Sequence, residues 1–170
     1  MPLVISLTLA GCLVASYCDI RARRIPNWLT GSLAAAAILV HAFAGIHSVA
    51  ESLAVMAVLT AAGTLVYALG GIGGGDIKLG IAASGMLGLP LCIPFLLYTA
   101  IGGGVLALVF IVSRRKVRET ASRVMLATMG GSRGVVAGKS ETLPYAVAFA
   151  FGAILIALSQ SVAPFLRITV

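Results

Sequence analysis

The chain has 170 residues, of which 60% are hydrophobic and 10% charged, against about 45–50% and ~25% in an ordinary soluble domain. This composition excludes a water-soluble globular fold and leaves almost nothing for a second domain, so the chain reads as one all-α, polytopic membrane domain over residues 1–170. The net charge of +7 does not point to nucleic acid, because most basic residues fall in two short segments between apolar runs, the pattern that membrane topology produces.

Six apolar runs predict about six transmembrane helices, since each span needs roughly 20 mainly apolar residues. The first is Leu3 to Cys18. Inside it Leu9-Ala10-Gly11-Cys12 looks like a lipoprotein cleavage box, but the run continues beyond Cys12, so it is read as a span. A loop with Arg21, Arg23 and Arg24 follows, then Pro26 and Asn27 as a turn and helix start, and the second run from Trp28 to Ala44. The third run, Val49 to Leu69, comes after a loop around Gly45 to Ser48. Beyond Gly70 to Asp76 lies a short fourth run, Ile77 to Leu89, separated by Pro90 from the fifth, Leu91 to Val112. A run this short is acceptable if it begins in a wet cavity or packs within the bundle. The basic segment 113–141 is expected to form a short interfacial helix around Arg114 to Met129 and then a Gly-rich stretch; the sixth run is Thr142 to Ser159.

Short loops rich in Lys and Arg stay cytoplasmic. Apart from Arg167 near the C-terminus, the basic residues fall in loops one and five, with Lys78 directly after the third, which places both termini outside and the loop 113–141 in the cytoplasm. Asp19 and Asp76 then share the cytoplasmic side.

Only five acidic residues occur: Asp19, Glu51, Asp76, Glu119 and Glu141. Asp19 follows the first apolar run and Asp76 stands between Gly73-Gly74-Gly75 and the fourth run. Ionisable groups at membrane depth are expensive and usually face a watery interior where they act. Two carboxylates brought together cannot both ionise easily, so one holds a proton while the other acts as base. The three glycines are expected to let another backbone approach and to adopt positive φ, and Asp76 is expected near the first turn of the fourth helix, where the dipole favours an anion. His41 and His47 fall at the outer end of the second run and are given no catalytic or metal role, and Cys12, Cys18 and Cys92 lack any paired spacing and read as packing residues.

The stretch Asp19-Ile20-Arg21-Ala22-Arg23-Arg24-Ile25-Pro26-Asn27 and the element Gly73-Gly74-Gly75-Asp76 resemble the two signature segments of the type IV prepilin peptidases, membrane aspartic proteases of the Gly-x-Gly-Asp type. The segment from Lys139 to Gly152, with Leu143-Pro144-Tyr145-Ala146-Val147-Ala148, is similar to the start of that family's last span. The chain has no Cys-x-x-Cys pair and so resembles the short type associated with Flp pili, which implies a peptidase without methyltransferase. The resemblance implies cleavage of the leader of prepilins and pilin-like proteins at the cytoplasmic face of the bacterial inner membrane, with Asp19 and Asp76 catalytic, no metal and no cofactor. Gly73, Gly74, Gly75 and Lys78 are the candidate substrate-binding residues; Lys78 could equally tune the aspartates or pack at the interface. A second reading, a small transporter or channel relaying protons or a cation through the two aspartates, would call for carboxylates at several depths. A presenilin-like protease shares the Gly-x-Gly-Asp element and lacks the Asp19 to Asn27 pattern.

Overall fold

The computed structural model describes residues 2–69, 73–113 and 145–167. They form five helical elements and, among the described residues, no strand: α1 (Pro2–Ala22), α2 (Asn27–Ala44), α3 (Ile46–Ala68), α4 (Gly74–Ser113) and α5 (Ala146–Arg167). Long apolar runs form helices because lipid offers no partner for a free backbone N–H or C=O. The expected interfacial helix and Gly-rich stretch lie outside the described residues.

The first three elements match the apolar runs closely, and α1 continues one turn beyond its run, so that Asp19 sits inside the helix. A single residue, Gly45, parts α2 from α3. Its φ of 114° is open to glycine at little cost, and its N–H donates to the His41 carbonyl at 3.2 Å.

The fourth and fifth runs are one element, α4, broken at Gly88 (φ 71°, ψ 177°). A Cβ placed on Gly80 would lie 3.1 Å from the Phe149 ring, and one on Gly103 would lie 3.6 Å from the Ala148 Cβ. In a straight helix residues 80 and 103 would be about 34 Å apart, at ~1.5 Å per residue. The chain therefore reverses at Gly88, and both halves pack on the same turn of α5.

The reversal strands two carbonyls. Pro90 has no N–H to give Met86, and Leu89, the helical partner of Gly85, lies beyond the break. His41 Nε2 is 3.1 Å from the Met86 oxygen and must carry the proton there, since a carbonyl only accepts. The Ser52 hydroxyl donates to the Gly85 carbonyl at 2.8 Å. Thus α2 and α3 cap the bend in α4, and His41 has a structural task. Ser52 is fully buried, so Ser52→Ala leaves an unpaired carbonyl and lowers stability by about 1–3 kcal/mol. Thermal unfolding in detergent measures this, and an unchanged midpoint would show that the cap contributes nothing.

Small side chains dominate the packing, as between helices in lipid. Ala15, Ala37, Ala82, Ala83, Ala146 and Ala153 are buried around Phe95, Leu79 and Met86. Large apolar side chains face outward instead, among them Phe43, Ile46, Leu69 and Trp28. Helices α1, α2, α3 and the segment Gly74–Val109 are long and apolar enough to cross a bilayer, which together with this outward apolar surface makes the chain a membrane protein. Helix α4 is central, touching α1, α2, α3 and α5.

Candidate active site

Ends of α1, α2, α3, α4 and α5 meet at the end of the bundle opposite Gly88. Helix α1 ends at Ala22 and is followed by Arg23, whose φ of 50° is unusual for a residue with a Cβ and whose N–H donates to the Asp19 carbonyl at 2.8 Å. The chain then crosses the end of the bundle through Ile25 to Pro26, the extended N-cap of α2. The Pro26 carbonyl accepts from the Leu29 N–H at 3.1 Å. On the facing side, α4 begins at Gly74 with Asp76 in its first turn, as the sequence suggests.

These segments enclose a cavity of about 280 Å³ lined by Asp19, Arg23, Arg24, Ile25, Asn27, Gly73, Gly75 and Asp76. Both candidate catalytic residues thus open on one space. Arg23 and Arg24, read from sequence as topology determinants, also line it and bring positive charge beside the carboxylates.

The glycines act differently from the expectation. Gly74 and Gly75 are helical, and none of Gly73, Gly74 and Gly75 has positive φ; among the described residues only Gly45 and Gly88 do among glycines. Their requirement is space. A Cβ on Gly73 would press to 3.0 Å from Asp76 Oδ2, one on Gly75 would touch Ile25 at 3.4 Å, and one on Gly74 the Tyr67 ring at 3.6 Å. Gly73 leads directly into the helix that begins at Gly74, which fixes ordinary φ.

Lys78 does not itself line the aspartate cavity. Its Nζ donates to Asn27 Oδ1 at 3.0 Å, tying the start of α2 to α4. It lines a second, largely apolar space of about 480 Å³ between α3 and α4 with Thr60, Gly63, Thr64, Tyr67 and Gly74, and Gly75 borders both spaces.

Ser16 escapes sequence reasoning, and Ala146 is legible only as part of the stretch that resembles the start of the last span. The Ala146 N–H, at the start of α5, donates to Asp19 Oδ2 at 3.4 Å, and the Ser16 hydroxyl donates to the Ala146 carbonyl at 2.7 Å. Both are small residues inside apolar runs, and nothing local marks either as a neighbour of Asp19.

Residues 6–108, more than half of the chain, match the family model described as the type IV leader peptidase family. The chain belongs to the type IV leader peptidase family. Membership makes it a hydrolase of peptide bonds, and the matched span contains Asp19, Gly73 to Gly75 and Asp76, while α5 and Ala146 lie beyond it. No curated protein and no solved structure gave a match. The chemistry of the cavity suits a peptidase: two carboxylates open on one space at a helix-bundle end, and such groups can give and take a proton.

Proposed function

We propose that this chain is a membrane aspartic endopeptidase that removes the leader of type IV or Flp-type prepilins at the cytoplasmic face of the bacterial inner membrane. The observation that carries the reading is that Asp19 and Asp76, on different helices, line one cavity. One aspartate deprotonates a water that attacks the scissile carbonyl. The other protonates the developing oxyanion and then the leaving amine, and the pair titrates as a unit. Gly73, Gly74 and Gly75 give the extended substrate backbone access. Lys78 lines the adjoining space between α3 and α4 and meets the substrate there.

The two halves of α4 count as separate spans in this reading, giving six with the last helix. Arg21, Arg23, Arg24 and the basic segment 113–141 hold the aspartate end in the cytoplasm. The substrate's own hydrophobic helix stays in the bilayer beside the enzyme, with the leader reaching the cavity.

The test uses the purified chain in liposomes with an Flp-type prepilin, read by mass spectrometry. The expected product is a leader ending in the Gly that precedes the substrate's hydrophobic helix. A folded protein that leaves prepilins intact and instead conducts protons or cations would replace this reading with the transporter.

A further inference from the structure

We infer that Ser16 is a positioning residue that sets Asp19 against the last helix; the inference rests on the proposed role of Asp19. Serine and threonine hydroxyls within helices commonly bond back to the carbonyl four residues earlier. In this chain Ser6, Thr8, Thr60, Thr64 and Ser161 do so. Ser16 does not. Its buried hydroxyl reaches Ala146, 130 residues away in sequence, at 2.7 Å.

Ser16 and Asp19 lie three residues apart on α1 and therefore on one face. Together they hold both polar groups of a single residue: Ser16 donates to the Ala146 carbonyl, and the Ala146 N–H donates to Asp19 Oδ2. Ala146 is fully buried and follows Tyr145, whose carbonyl accepts from the Ala148 N–H at 2.9 Å. Its own N–H is thus one of the first-turn donors that have no partner within the helix. At 3.4 Å the bond to Asp19 is long, so it orients the carboxylate more than it strengthens it. The short bond from Ser16 keeps the donor in place. Without that hydroxyl, the start of α5 can slide along α1 and the N–H leaves the carboxylate. The last helix is in this way part of the catalytic geometry although it contributes no acid or base.

The experiment compares Ser16→Ala, Ser16→Thr and Ala146→Pro in the liposome peptidase assay, with folding checked by thermal unfolding. Proline is favoured at the first helical position, so Ala146→Pro deletes the N–H while keeping the helix. Ser16→Ala and Ala146→Pro are each expected to lower kcat about tenfold with KM unchanged, since small misplacements of an acid–base group act on this scale or more. Ser16→Thr, which keeps the hydroxyl, recovers most of the loss. A wild-type kcat in Ser16→Ala overturns the inference, as does an equal loss in Ser16→Ala and Ser16→Thr, which would point to packing. If Ser16→Ala does not fold, a wild-type kcat in Ala146→Pro overturns it. Should Asp19→Asn remain active, the dyad itself fails; should it be inactive while Ser16→Ala keeps its kcat, only this inference does.

Discussion

Asp19→Asn and Asp76→Asn are each expected to lower the rate of leader cleavage by about 10³-fold or more, at unchanged abundance in the membrane. Asparagine keeps the shape of the side chain and removes its ability to exchange a proton, so the loss reports acid–base chemistry and not packing. The double variant is no slower than the worse single one, because two groups that act as a unit give strongly non-additive effects. The structure supplies the reason to expect equal dependence on both: the residues come from the last turn of α1 and the first turn of α4 and line the same cavity. The assay is processing of a co-expressed Flp-type prepilin, followed by the mobility shift of the pilin once equal insertion of all variants is established. Normal processing by either single variant would remove that aspartate from the mechanism.

Gly152→Leu prevents accumulation of folded protein, and Gly152→Ala lowers stability by about 1–3 kcal/mol, the usual cost of overpacking. A Cβ on Gly152 would collide with Thr99 Oγ1 and lie 3.1 Å from the Thr99 backbone N and 3.2 Å from the Phe95 carbonyl oxygen. Two of these three atoms belong to backbone, which cannot rotate away. Relief requires α5 to separate from the second half of α4, and such close contact between small residues is what holds helices together in lipid. Two other glycines provide contrast. At Gly85 the obstructing atoms belong to Met56, a flexible side chain, and around Gly31 nothing lies within 4 Å. Gly31→Ala is expected to leave stability unchanged or raise it by up to ~1 kcal/mol through helix propensity. Melting temperatures in one detergent order the three alanine variants as Gly152 lowest, then Gly85, then Gly31; a Gly152→Ala midpoint equal to wild type would mean that the helices do not approach this closely.

The bends show where local reading stops. Pro90 marks a break between two apolar runs, but the left-handed residue is Gly88, and the donors that make the bend tolerable come from His41 and Ser52 on two other helices. Arg23 is comparable: a left-handed non-glycine ends α1, where the sequence shows only a basic residue in a loop. Gly73 to Gly75 invite the expectation of positive φ, whereas the structure uses their missing Cβ atoms, because Asp76, Tyr67 and Ile25 occupy the space.

By itself the sequence determined that the chain is a helical membrane protein, where α1, α2 and α3 run to within a few residues, that Asp76 begins a helix, and which two carboxylates stand out. Those features depend on hydropathy and on short local motifs, because lipid acts on each run of twenty or so residues separately. Only the tertiary structure decided that the fourth and fifth runs fold back on one turn of α5, that Lys78 bonds to Asn27, and that Ser16 bonds to Ala146, whose N–H reaches Asp19. A glycine, alanine or serine inside an apolar run has the same local character whether it faces lipid, packs against a neighbour or carries a hydrogen bond; its role is set by the residue that a distant helix brings against it.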